Sequence, residues 1–190
     1  MRQHSSLAGI GRTSVDVHRV LETADSRGTR LLSGIVRVVC VDLVGGSSVP
    51  FPDLHLSSSL ASTARRFPRV EVPAAAAAGS FSTAVRVLYD DVDFNWHTNQ
   101  ASYTAFALEC AARAAAAGYY SRIRDDVALY PALSLTCVHL AESFGGDELN
   151  VSTWEDRANA MSLHFLIHGQ RQRIFYVIIE FDERTTASKL

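Results

Sequence analysis

One segment constrains this chain more than any other. Ala101–Ala117 reads as a long helix with a single apolar stripe, because Tyr103, Phe106, Ala107, Cys110, Ala111 and Ala114 recur at three- and four-residue spacing. Most of these side chains are small, so a sheet can pack closely against the stripe. Gly118 is a natural stop signal. Before the helix, Val85, Val87 and Tyr89 alternate as in a strand. After it come four strand candidates: Leu133–Leu140, Leu149–Asp156, Ala160–His168 and Arg173–Phe181. Met161, Leu163, Phe165 and Ile167 alternate in the third, and the fourth is apolar on both faces, as a central strand is. GGDE and HGQRQ supply turns between them. A helix with that much apolar surface needs a curved sheet to wrap it, which predicts an α+β domain.

The chain has 190 residues, enough for one domain or one domain and a fragment. Nearly half of it is apolar, so a core of ordinary size can be buried. Net charge is −2 and no basic stripe runs along a helix or loop, which argues against a nucleic-acid partner. Cys40, Cys110 and Cys137 are odd in number and widely spaced, and fit neither a disulfide framework nor a CxxC metal site. They read as buried thiols in a reducing compartment, with Cys137 the candidate for a reactive one. No apolar run approaches the roughly 18 residues that cross a membrane, so no transmembrane segment is expected. Met1–Ser14 carries Arg2 and Arg12 with no acid before Asp16, a faint likeness to an organelle transit peptide without the apolar core of a secretory signal. The expected location is intracellular: the cytoplasm, or a mitochondrion or plastid.

Pro50–Ser80 is rich in Ser, Pro and Ala and reads as a linker, with one extended piece at Arg69–Val72. Ala74–Ala78 could make a helical turn but is too short to stand alone as a helix. In the N-terminal stretch, Val15–Leu21 and Leu31–Asp42 read as a β-hairpin. Its segment SVDVH resembles MSLHF near the C-terminus, and GIVRVVCVD resembles FYVIIEFDE. Two readings stay open: the last hairpin of an earlier copy of the domain whose helix is missing, or an ordinary hairpin extending the sheet. The expected division is a hairpin in residues 1–49, a low-complexity linker in 50–81, the main domain in 82–183 and a tail in 184–190.

The chemistry is concentrated in YDDVDFNWHTNQASY, Tyr89 to Tyr103. Asp93, Asn95 and His97 lie two apart, which in extended chain puts side chains on one side. A carboxylate can act as general base or nucleophile. Asn can donate to an acyl oxygen or orient water, and His can hold either group. Asn99 is placed to cap the helix, whose first-turn N–H groups and positive dipole end would face a thioester carbonyl. One good oxyanion donor is worth roughly 100- to 1000-fold in rate. The bland alternative is a polar loop with a capping Asn.

DVDFNWHTNQASY resembles the signature of hot-dog thioesterases, an Asp-x-Asp-x-Asn-x-His-x-Asn pattern leading into the central helix, closest in style to acyl-acyl-carrier-protein and acyl-CoA thioesterases. The resemblance covers roughly Ser82–Asp182, through Tyr103, Glu109 and the GDEL turn. It implies a hot-dog fold, a long central helix wrapped by antiparallel sheet, with Asp93, Asn95 and His97 catalytic and Asp91 structural. Trp96, Asn99 and Tyr103 would then border the substrate. The two-copy plan is similar to the double hot-dog of plant acyl-carrier-protein thioesterases, in which the second copy carries the catalytic residues. Two departures matter. Many relatives have Gly where Trp96 stands, and a second Asn where Gln100 stands, so Trp96 narrows the acyl entrance or alters the backbone donors. Some relatives also carry a catalytic Glu on the strand after the helix. Glu142 is the nearest candidate, about one residue out of step, and Glu109 is its rival, four residues before Arg113 and equally explained by a surface ion pair.

Other candidates are weaker. His164 and His168 are four apart, but on a strand, so metal ligation is not expected there. His139 alternates within a strand, Ser134 has no GxSxG context, and no phosphate-binding glycine loop is present. The expected activity is hydrolysis of fatty acyl thioesters on coenzyme A or acyl carrier protein, without metal or redox cofactor. The protein is expected to be a homodimer or higher hot-dog oligomer, because such a domain leaves an open sheet edge. The alternatives are a hot-dog hydratase or dehydratase on acyl thioesters, and a non-catalytic acyl-thioester-binding protein.

Overall fold

The computed structural model describes residues 1–24, 28–42, 47–50 and 70–183. The chain divides into two compact units, Met1–Arg69 and Val70–Leu190.

In the first unit, β1 (Arg2–Ile10), β2 (Ser14–Glu22) and β3 (Arg30–Val39) form an antiparallel sheet of their own, in the order β1-β2-β3. β2 and β3 are the expected hairpin. β1 is not expected from the sequence: its His, Ser and Gln residues show no apolar alternation. It pairs with β2 from Arg2 opposite Glu22 to Ile10 opposite Val15, so main-chain hydrogen bonds rather than a buried face define it. The stretch that resembles a targeting peptide is therefore strand here. Asp16 faces Arg37 across the sheet in a two-pronged pair, Nε–Oδ1 2.7 Å and Nη2–Oδ2 2.8 Å. The guanidinium's hydrogen bonds hold the Asp16 carboxyl below the usual range, against the opposing effect of burial.

Most of the expected linker, residues 51–69, lies outside the described residues, as does the tail, 184–190. Residues 70–80 contain no helix or strand, and Ala74–Ala78 makes only bends and a turn, with Ser80 N–H donating to Ala77 O at 3.0 Å. Arg173 Nη1 donates to Pro73 O at 2.8 Å and ties this approach segment to the main domain.

The second unit contains β4 (Phe81–Arg86), α1 (Gln100–Ala116), β5 (Ala132–His139), β6 (Glu148–Glu155), β7 (Ser162–His168) and β8 (Arg173–Phe181). The sheet order is β4-β6-β7-β8-β5, and every neighbouring pair is antiparallel. β8 is internal, as its two apolar faces predict. Leu163, Phe165 and Ile167 of β7 and Phe175, Val177 and Ile179 of β8 share one buried cluster with the helix stripe, from Tyr103 to Ala114. Each large side chain removed from water there contributes about 1.5–3 kcal/mol. The four alanines of the stripe, Ala107, Ala111, Ala114 and Ala115, let the helix lie close to the sheet. Asn99 caps the helix by accepting Ala101 N–H at 2.9 Å. Gly118, at φ +70°, ends it and donates to Ala115 O.

β4 stops sooner than the alternation to Tyr89 suggests. Asp91 Oδ2 accepts Leu88 N–H at 2.8 Å and folds Tyr89–Asp91 into a turn of 3-10 helix. On the other face of the sheet, Tyr176 Oη lies 2.6 Å from His164 Nδ1, and His164 Nε2 lies 3.3 Å from Asp156 Oδ2. Trp154 stacks on the imidazole. His164 is thus tied to a phenol and a carboxylate. No group of three His, Cys, Asp or Glu that could hold a metal occurs among the described residues.

Candidate active site

Between β4 and α1 the chain folds back on itself. Val92 and Thr98 form an antiparallel bridge, Asp93 N–H donates to His97 O at 2.8 Å, and Trp96 N–H donates to Asp93 O at 3.0 Å. Asp93 Oδ1 accepts Asn95 N–H at 2.8 Å, so the carboxylate shapes its own turn. The turn closes at Trp96, at φ +65°, the one non-glycine residue with positive φ among the described residues. That conformation costs an L-residue about 1–2 kcal/mol. Asn99 N–H donates to Asp91 O at 2.7 Å and closes the base of the loop on the helix start.

This geometry changes the one-sided arrangement that an extended segment implies. Asp93 is half-buried and lines a cleft of about 300 Å³ with Tyr89, Val92, Phe94 and Trp96. Tyr89 and Trp96 meet edge to face, 6.3 Å between ring centres. Asn95 is exposed and joins Asp93 through its main-chain N–H. His97 turns the other way: its Nδ1 lies 3.4 Å from Glu142 Oε1, and its ring meets Phe144 edge to face at 5.2 Å. Asp93, Asn95 and His97 are therefore clustered in one loop, and the only side-chain bond among them that the described residues show is Asp93 Oδ1 to Asn95 N–H.

The two glutamates separate cleanly. Glu142 sits in the β5–β6 loop, which the His97–Phe144 bridge brings alongside. Glu109 pairs with Arg113 on the exposed side of α1, ten residues past the cap and so about 15 Å along the helix axis. The structure does not bring Glu109 to the loop. Tyr103 also needs correction as a substrate contact. It is fully buried, stacked on Phe175 at 4.8 Å, with its hydroxyl 2.8 Å from Ser143 Oγ. The Asn99 side chain is engaged as the helix cap, and its carbonyl accepts Ser102 N–H at 3.0 Å. Of the first-turn donors, Gln100 N–H is left without a partner among the described residues.

Sequence reasoning passes over Thr98 and Ser143, both buried, because no charge or periodicity marks them. His139 lies with its ring 5.8 Å from those of Tyr103 and Phe175. Burial pulls its imidazole below the usual range; Glu142 opposes that shift and His97 adds to it.

No protein-family model matches the sequence, and no curated protein does. Solved structures match the fold. A putative oleoyl thioesterase from Lactobacillus plantarum superposes with TM-score 0.70 at 14% identity, over 94% of this chain and 67% of its own. An acyl-ACP thioesterase from Bacteroides thetaiotaomicron gives 0.64 at 16%, over 95% and 68%. The 12:0-ACP thioesterase from Umbellularia californica gives 0.71 at 12%, over 95% and 66%. The chain spans about two thirds of the length of each. It has the hot-dog fold of these proteins.

Proposed function

We propose that this chain hydrolyses fatty acyl thioesters, carried on coenzyme A or acyl carrier protein, to free acid and thiol. The observation that carries the reading is local: one short loop sets Asp93 in an aromatic-walled cleft, while its neighbour His97 is held by Glu142 beside the start of α1. The fold it shares with structures described as acyl-ACP and oleoyl thioesterases supports the same reading.

In this mechanism the acyl thioester enters along Tyr89, Phe94 and Trp96. Asp93 takes a proton from water, and the water oxygen bonds to the thioester carbon. The carbonyl oxygen, now carrying the charge, is met by Gln100 N–H and the positive end of α1. The carbon–sulfur bond then breaks, the departing thiolate takes a proton from the His97 imidazolium beside Glu142, and the proton held on Asp93 returns through solvent to His97, which restores both groups. Asn95 orients the water. Every step uses groups of the chain and solvent.

The domain pairs with a second copy. β5 is an edge strand open to pairing by a second copy, and Leu133 and Leu135, 62% and 52% exposed on one face of it, are apolar surface that a partner packed on that face buries. The chain's three thiols, Cys40, Cys110 and Cys137, free in the structure, fit a reducing compartment. No helix among the described residues is long and apolar enough to cross a membrane.

The test is thiol release from saturated acyl-CoAs and acyl carrier protein, run beside enoyl-CoAs. Hydrolysis is expected, with Asp93→Asn losing roughly 100-fold or more in turnover while its circular dichroism is unchanged. Hydration of enoyl-CoA instead would assign a hydratase, and tight acyl-CoA binding without turnover a non-catalytic binder. Unchanged turnover in Asp93→Asn would remove that residue from the mechanism.

A further inference from the structure

The His97–Glu142 contact adds little to holding its own geometry. The side chains are 36% and 55% exposed, and an ion pair that open to solvent contributes little. The bridge to Phe144 and the bond from Asp93 N–H to His97 O hold the main chain from one side, and a second set of bonds holds it from beneath. Immediately next to each lies a buried hydroxyl: Thr98 after His97 and Ser143 after Glu142, with Tyr103 below them.

The hydrogen bonds among these three admit one self-consistent direction. Thr98 Oγ1 donates to Ser143 O at 3.0 Å. The 2.7 Å contact between Thr98 Oγ1 and Ser143 Oγ must then use the serine hydrogen. The 2.8 Å contact between Ser143 Oγ and Tyr103 Oη must use the tyrosine hydrogen. Tyr103 Oη accepts Ser143 N–H at 3.1 Å, which closes a circuit that begins and ends on the Ser143 main chain. Thr98 N–H also donates to Ser143 O, at 2.8 Å. The Ser143 N–H belongs to the peptide plane of Glu142, and the Thr98 N–H to that of His97. Each member of the exposed pair thus has one peptide plane locked by a buried, mutually polarising network.

We infer that the Tyr103–Ser143–Thr98 hydroxyl circuit is the positioning element of the site, and that Ser143, which touches no substrate, sets the rate through the His97–Glu142 geometry. The inference rests on the thioesterase reading for its kinetic consequence but not for its structural one. Ser143→Ala removes the central hydroxyl and leaves the Tyr103 O–H without its acceptor. Tyr103→Phe opens the circuit from the other end, keeps the ring stacked on Phe175, and serves if the serine variant folds poorly.

The experiment is a double-mutant cycle with Glu142→Gln, together with the ring 15N resonances of His97. Ser143→Ala and Tyr103→Phe should each lower kcat roughly 10- to 100-fold with KM within twofold. In the Glu142→Gln background they should lower it no further, because the pair they position is already broken. The His97 ring resonances should move in Ser143→Ala as they move in Glu142→Gln. A full, independent loss of kcat in the Glu142→Gln background, or His97 resonances unmoved in a folded Ser143→Ala, would overturn the inference. If the wild-type chain turns over no thioester, the functional reading fails, and the resonances still decide the circuit.

Discussion

Trp96 shows how much one residue can be asked to bear. It occupies a left-handed turn position that glycine takes without cost, yet its side chain is 67% exposed and gains little from burial. Trp96→Gly should therefore raise stability by up to about 1 kcal/mol, measured by urea denaturation, since relief of strain outweighs the added freedom of the unfolded chain. A loss of stability would mean that the edge-to-face contact with Tyr89 holds the loop. Cys110 makes the opposite case. Burial pushes its thiol up to about 11, with its Sγ directed to Val151 O at 3.4 Å. The folded protein then holds almost no Cys110 thiolate at neutral pH, so Cys110 should resist alkylation in the folded protein and react on denaturation. At this scale the sequence was partly legible. Asp93, Asn95 and His97 draw attention by their two-residue spacing, but that spacing equally fits a polar loop with a capping Asn, and the resemblance of the loop to a thioesterase signature is what singles them out. Their partners carry no such mark: Ser143 and Thr98 acquire a role only when the β5–β6 loop is brought alongside, and no local pattern encodes that meeting.

Most elements are legible in the sequence because they rest on local periodicity. The small-residue stripe specified α1 to within one residue, and Asn99 and Gly118 marked its ends by known conformational preferences. Asn99→Ala should cost about 1 kcal/mol, read as a lower urea midpoint, because Ala101 N–H loses its acceptor. An unchanged midpoint would show that solvent replaces the cap at no cost. Two elements depart from the sequence pattern for physical reasons. β1 is an edge strand held by main-chain pairing, so its side chains carry no alternation. β4 ends early because the Asp91 carboxylate captures Leu88 N–H, a side-chain event that the apolar pattern of Val85, Val87 and Tyr89 conceals.

At the scale of the molecule, each unit has its own requirements. The first unit's sheet carries the Asp16–Arg37 pair, its carboxylate buried and its guanidinium partly open to solvent, and the carboxyl titrates lower in the folded state than its usual value near 3.9. Ionised Asp16 thus favours the folded sheet above about pH 4, and that contribution disappears as pH falls through the lowered folded value. Urea unfolding followed by the amide resonances of Val17 and Val36 should shift to lower denaturant on acidification, and Arg37→Gln should abolish that part of the pH dependence. A pH response identical in the variant would contradict the assignment. The second unit has a complete helix, sheet and loop, and the proposed chemistry is assigned entirely to it.

The central claim is that this loop directs water onto a thioester carbon. The most direct measurement is turnover of an acyl thioester in 18O-labelled water, with the mass of the released acid and the amount of free thiol recorded together. The account predicts one labelled oxygen per fatty acid, one thiol per acid, and neither product from Asp93→Asn beyond a trace. Thiol release without labelled acid, or labelled acid formed equally fast by Asp93→Asn, would contradict it.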